Sequence, residues 1–188
     1  MRQKQHTGQA AEQAAFTARL EQALPILRKV AAAYGLTTAD RHDLMQEIAL
    51  QLWKAWPRYD PARAFSTWTY RIALNVGISH LRRSSGARRP AVALGELPDD
   101  PVAGTGIDPV LEEQIGLLRR LIDGSNGADR ALLVLHLDER SHREIAEVLG
   151  MSETNVATRL SRIRQRLRDG LAVHNHDRAA PRTKETTQ

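Results

Sequence analysis

Apolar residues in this chain recur at three- and four-residue steps, and no segment alternates apolar with polar as a half-buried strand would. The pattern predicts an all-α protein. Leu20 to Tyr34 reads as an amphipathic helix, with Pro25 marking a break or first turn and Gly35 ending it. In the stretch Asp43 to Trp56, Leu44, Ile48 and Leu52 stand four apart, backed by Met45, Ala49 and Trp53, and Pro57 stops the helix. The loop PRYDPARA follows, and Ser66 is the expected N-cap of a helix whose stripe is Phe65, Trp68, Ile72 and Val76. Gly77 lies within that helix and weakens it by about 1 kcal/mol relative to Ala.

Pro and Gly cluster between Ser84 and Pro109 without any sustained period, which predicts a linker. Beyond it, Leu111 to Ile122 and Asp129 to Leu137 read as helices joined by the turn sequence DGSNG. Then comes SHREIAEVLGMSETNVATRLSRIRQRLR. Ser141 and Glu144 form a capping box, Gly150 supplies a left-handed turn, and Ser152 caps a second helix striped by Val156, Leu160, Ile163 and Leu167. A small residue at Ala146, the turn at Gly150 and a branched apolar residue at Val156 are what a helix-turn-helix needs for its two helices to touch. The expected segments are thus a disordered tail (1–17), a helical unit (18–83), the linker (84–109), a second helical unit (110–173) and a disordered tail (174–188).

Charge changes the picture more than composition does. Net charge is +5, but it is blocked along the chain. Trp53 to Arg89 holds eight Lys/Arg against one acid, whereas Pro90 to Leu118 holds six acids and no Lys or Arg. Arg140 to Asp169 carries seven Arg against four acids. Two basic blocks around an acidic connector suggest two surfaces for a polyanion. In the second block, Asn155, Thr158, Arg159, Arg162 and Arg166 share the face opposite the apolar stripe. Base-edge partners beside phosphate-binding arginines are what a major-groove reader presents. In the first block, six of the eight aromatics (Trp53, Trp56, Tyr59, Phe65, Trp68, Tyr70) interleave with Lys54, Arg58, Arg63 and Arg71. Stacking on an unpaired base contributes about 1–3 kcal/mol, enough to offset local melting of a duplex. Tyr59, in its Pro-bounded loop, is expected to be exposed, and Trp53 and Trp68 to share in the core. The chain has no cysteine and no 18-residue apolar run, so it offers no thiolate metal site and no membrane span; a cytoplasmic protein is expected.

Taken together, DLMQEIALQLWKAW, FSTWTYRIALNVGISHLRR and REIAEVLGMSETNVATRLSRIR resemble regions 2.2, 2.3–2.4 and 4.2 of the extracytoplasmic-function (group IV) RNA polymerase sigma factors. The resemblance implies two small helical domains, a region 2 bundle and a region 4 helix-turn-helix, joined by a flexible acidic linker. It implies that Asp43, Gln46 and Glu47, on one helix face, dock on the β′ clamp helices of core polymerase, while region 4 meets the β flap. Arg58, Tyr59, Arg63, Trp68, Arg71, Asn75, Arg82 and Arg83 would open and read the −10 promoter element, with Asn75 bonding to bases and Arg88 and Arg89 adding phosphate contacts. Ser152, Asn155, Ala157, Thr158, Arg159 and Arg162 would read the −35 element. The family often has Lys or Arg where this chain has Ala157, which shifts base reading toward Asn155, Thr158 and Arg162. The acidic linker would thread the polymerase cleft. An anti-sigma factor is a further candidate partner; no metal, cofactor or catalytic residue is implied. The alternative is a helix-turn-helix regulator that binds duplex DNA without joining polymerase. Such a protein would carry a sensor or receiver domain, and an enzyme would carry clustered carboxylates or a nucleophile; the first half shows neither pattern.

Overall fold

A computed structural model describes residues 2–86 and 124–179 of the chain. Within them are six α-helices and no strand: α1 (Arg2–Tyr34), α2 (Thr38–Ala55), α3 (Phe65–Gly86), α4 (Gly127–Leu137), α5 (His142–Leu149) and α6 (Glu153–Ala179). A single 3-10 turn, Trp56–Arg58, follows α2. The linker and the helix expected at Leu111 to Ile122 lie outside the described residues, as do Arg88 and Arg89.

Helix α1 departs from expectation at both its start and its middle. It begins at Arg2, where a disordered tail is predicted, because residues 9–15 (QAAEQAA) are strong helix formers and Phe16 is buried. Pro25 sits inside α1 without ending it. A mid-helix proline costs about 3 kcal/mol, but Ala23, Leu27, Val30, Ala31 and Tyr34 are buried on both sides of it, and that packing holds the helix together.

Helix α2 starts five residues before the expected Asp43. Thr37 is its N-cap: the Thr37 hydroxyl accepts from Asp40 N–H, and the Asp40 carboxylate accepts from Thr37 N–H. Leu44, Ile48 and Leu52 are its buried line, as the four-residue spacing predicts. Helix α3 opens at Phe65, so Ser66 lies within the first turn and is not its N-cap. The buried line of α3 is also displaced from the predicted one. Thr69, Tyr70, Ala73, Leu74, Gly77 and Leu81 are buried, as is Val76 of the predicted stripe, whereas Phe65, Trp68 and Ile72 are half-buried. Gly77 has a packing reason: a Cβ there would come within 2.8 Å of the Tyr34 ring, so α1 and α3 cross at a backbone.

The second half follows its sequence signals closely. Asn126 caps α4, its side chain accepting from Ala128 and Asp129 N–H. Ser141 and Glu144 form the capping box of α5, and Gly150 ends it at φ 66°, ψ 39°. The Ser152 hydroxyl accepts from Asn155 N–H at the start of α6. Val156, Leu160 and Ile163 are buried against α5 and α4. Helix α6 continues to Ala179, past the expected end at residue 173.

The two halves share one continuous core. Helices α4 and α5 pack on α3, and α4 also reaches α1. The Tyr34 hydroxyl donates to the Gly127 carbonyl at 2.8 Å, and the buried Arg130 guanidinium donates to the Ala33 carbonyl at 2.8 Å while lying over the Tyr34 ring. Arg130 is 1% exposed, a charge kept inside by a carbonyl and an aromatic face.

Candidate nucleic-acid and polymerase interfaces

Three polar surfaces emerge from these helices. On α2, Asp43 and Gln46 are exposed and Glu47 is half-buried, at the i, i+3, i+4 spacing of one helix face. Leu50 and Trp53 continue that face and are 49% and 40% exposed. Sequence reasoning assigned Trp53 partly to the core and passed over Leu50. The signal was present, since Leu50 falls outside the buried line of Leu44, Ile48 and Leu52, but helical spacing alone does not show which side a neighbouring element covers.

The second surface starts in the loop after α2. Asp60, the one acid of the first basic block, builds the loop: its carboxylate accepts from Ala62 N–H and its carbonyl from Arg63 N–H. The Tyr59 hydroxyl donates to the Arg63 carbonyl at 3.0 Å. Tyr59 is half-buried, contrary to expectation, because its ring stacks on Trp56 (5.5 Å, 15°) and meets Phe65 and Trp68. Phe16 reaches the same cluster edge-on through Trp53 and Trp56, and the Arg19 guanidinium lies over Phe65. Arg58 and Arg63 are exposed beside it. Tyr70, counted by sequence among these aromatics, is not among them. It is buried, and its hydroxyl donates to Asp138 at 2.8 Å.

Along α3, Arg71, Asn75 and Arg82 share a face, and all three are exposed. Arg71 already has a partner, donating to the Glu147 carbonyl of α5 at 2.6 Å. Arg83 donates to both Glu47 oxygens at 2.9 and 3.2 Å. The pair joins the α2 face to the end of α3, two sets that sequence kept separate.

The third surface lies on α6. Ser152, Asn155, Ala157, Thr158 and Arg162 are exposed, opposite the buried Val156, Leu160 and Ile163. Arg159 is half-buried and lies 3.6 Å from the Asp129 carboxylate, which Arg166 and the Asn126 amide also reach. Asp129 thus ties α6 to α4. Nothing in its spacing announced this, because Arg159 and Arg166 lie thirty or more residues away along the chain.

Electrostatics are most concentrated at Asp138. Lys29, the Tyr70 hydroxyl and Arg140 converge on its carboxylate. Burial alone would raise the pKa of Asp138, but these hydrogen bonds overcome it and hold the carboxyl below its usual range. Burial likewise pushes the Tyr70 phenol up, helped by Asp138.

A two-part helical fold with a helix-turn-helix in its second half defines a class of DNA-directed factor, and comparison with known proteins agrees. Residues 20–86 match the model of sigma-70 region 2, and residues 126–167 that of sigma-70 region 4. The chain is 30% identical over 148 residues to the ECF RNA polymerase sigma factor SigW of Bacillus subtilis, covering 70% of this chain and 75% of that protein. It is 31% identical over 147 residues to the ECF RNA polymerase sigma factor SigE of Mycolicibacterium smegmatis, covering 74% of this chain and 55% of that one. The chain therefore spans about half the length of the mycobacterial relative. Two solved structures share the fold. CnrH in complex with the cytosolic domain of CnrY has a TM-score of 0.62 at 22% identity, covering 86% of this chain and 90% of that one. RpoE in complex with the anti-sigma factor NepR from Bartonella quintana has a TM-score of 0.64 at 20% identity, covering 85% and 98%.

This chain belongs to the ECF RNA polymerase sigma factors of the sigma-70 family, a class of promoter-directing transcription initiation factors. The region 2 match occupies the half where a free-standing regulator would carry its sensor or receiver. No described helix is long and apolar enough to cross a membrane.

Proposed function

We propose that the chain is a dissociable initiation subunit working in the cytoplasm and catalysing nothing itself. The α2 face docks on the β′ clamp helices of core polymerase, with Asp43, Gln46 and Glu47 meeting basic partners and Leu50 and Trp53 giving the contact an apolar centre. Region 4 meets the β flap. The loop around Tyr59, with Arg58, Arg63 and Trp68, takes an unpaired base of the −10 element; Asn75 reads a base there, and Arg71, Arg82 and Arg83 hold phosphates. At the −35 element, Ser152, Asn155, Ala157, Thr158 and Arg162 face the major groove, while Arg159 is shared with Asp129. An anti-sigma factor is a further partner, as NepR is for RpoE of Bartonella quintana, a protein of the same fold. The functional units are residues 18–83 and 110–173, joined by the acidic linker 84–109.

The observation that carries this reading is the one-sidedness of α6: Asn155, Thr158 and Arg162 stand exposed behind Val156, Leu160 and Ile163, on a helix fixed by the left-handed Gly150. Run-off transcription with core polymerase tests it. Asn75→Ala lowers open-complex formation by about tenfold, the loss of one base contact of 1–3 kcal/mol, with core binding intact. Gln46→Ala with Glu47→Ala weakens core binding first. Tight promoter binding by the free chain, with no association with core, overturns the reading.

A further inference from the structure

Helix α6 packs against α4, and one acid of α4 meets two of its arginines. Asp129, in the first turn of α4, is 8% exposed. Its carboxylate accepts from Arg166 at 3.0 Å and from the Asn126 amide at 3.2 Å, and Arg159 lies 3.6 Å away. Arg159 and Arg166 are two turns apart, about 10 Å along a helix. Their side chains therefore lean toward each other along α6 to reach one carboxylate. Arg162, between them on the same face, stays exposed.

A capping role does not account for this acid. Asn126 caps α4 with its own side-chain oxygen, which accepts from Ala128 and Asp129 N–H. An acid in a first turn favours the helix dipole whichever way it points, and this one points at α6. Nor is the strength of the pairs a sufficient reason. The Arg159 and Arg166 side chains are 37% and 50% exposed, and ion pairs so exposed contribute little to stability. What the acid does change is the charge that α6 offers to DNA. An arginine free at a groove edge takes any phosphate it reaches, which adds affinity on every sequence and salt dependence with it. An arginine tethered to a carboxylate is restricted to one position, and part of its charge is cancelled there.

We propose that Asp129 is a specificity-determining residue of the −35 reader. By tethering Arg159 and Arg166, it makes α6 bind duplex DNA through the base edges met by Asn155, Thr158 and Arg162 rather than through indiscriminate phosphate contacts. The inference rests on the sigma-factor reading of α6. Asp129 touches no DNA itself; it acts through the two arginines and is a positioning residue. Its effect falls on a ratio. A genome offers about a million or more competing sites, so affinity withheld from all of them raises the occupancy of the right one.

The test is Asp129→Asn in the full chain assembled with core polymerase, with binding measured on two duplexes. One is a promoter fragment on which the wild-type holoenzyme initiates, and the other is the same fragment with its −35 element scrambled. Asparagine keeps the size of the side chain and removes its charge, and Asn126 still caps α4. The preference for the intact fragment is expected to fall by about fivefold or more, mainly through tighter binding to the scrambled one. On the scrambled fragment the slope of log K against log salt is expected to steepen by about one to two, as one or two more phosphates are contacted. Adding Arg166→Gln to Asp129→Asn is expected to return about one of that slope. Asp129→Ser should repeat both changes, and Asp129→Glu, which restores a carboxylate, should restore the preference. Equal weakening on both fragments with an unchanged slope, the signature of a merely structural role, overturns the proposal. So does an unchanged preference in Asp129→Asn and Asp129→Ser. Both results leave the sigma-factor reading standing, because initiation by the wild-type holoenzyme is measured on the same fragment. If the wild-type chain neither associates with core nor initiates on any fragment, the sigma-factor reading fails and the role of Asp129 falls with it.

Discussion

Gly77 shows how much a single residue is asked to do. In isolation it only weakens α3, but in the fold its missing Cβ is the space the Tyr34 ring occupies. Gly77→Ala would gain helix propensity of about 1 kcal/mol and force a contact at 2.8 Å. The clash outweighs the gain: overpacking typically costs about 1–3 kcal/mol, so once the propensity gain is subtracted a net loss of up to about 2 kcal/mol is expected in urea unfolding. An unchanged midpoint would show that Tyr34 moves aside freely. Tyr70 makes the same point from the polar side. Its position among six aromatics suggested stacking on bases, whereas its burial and its bond to Asp138 make it a link between the halves. Residue type and neighbours along the chain were legible; which side of α3 would be covered was not.

Among the elements, α5 and the start of α6 were the most legible, because every signal there is local. Capping box, left-handed glycine and second cap each act within four residues, and all three formed as expected. Helix α1 was the least legible. Its first turns rely on Phe16, which packs edge-on against Trp53 and Trp56 some forty residues away. Removing that ring leaves a cavity under the aromatic cluster. Phe16→Ala is expected to cost about 3 kcal/mol of stability and to lower the protection of α1 amides preceding Leu20 in hydrogen exchange. Protection that survives the substitution would mean that propensity alone sustains the early turns. Pro25 was misjudged as a break for a related reason: a penalty of about 3 kcal/mol is local, but the burial that outweighs it is tertiary.

For the whole molecule, the contact between halves sets a pH dependence. Asp138 has a folded pKa below that of the free carboxyl, so the stability it contributes is complete above about pH 4 and is lost as pH falls through the lowered value. The groups facing it are Lys29, Tyr70 and Arg140. Stability of the full chain in urea is therefore expected to fall as the pH drops below about 4, and Asp138→Asn should flatten part of that slope. Glu144, held below its usual range chiefly by Ser141 in the α5 capping box, supplies a residual slope in the same direction. Identical slopes in the two proteins would remove Asp138 from the account.

What the sequence determined by itself was everything set by short-range chemistry: helices rather than strands, the helix-turn-helix, the basic blocks, and the three motifs that resemble a sigma factor. What only the tertiary structure decided was which faces meet. Arg83 with Glu47, Arg159 with Asp129, and Tyr70 with Asp138 are pairs separated by 36, 30 and 68 positions. Helical periodicity assigns each residue to a face of its own helix, but it carries no information about which other helix will lie against that face. That choice follows from burying several faces at once in one core, and it turned two helical units read separately into one packed body.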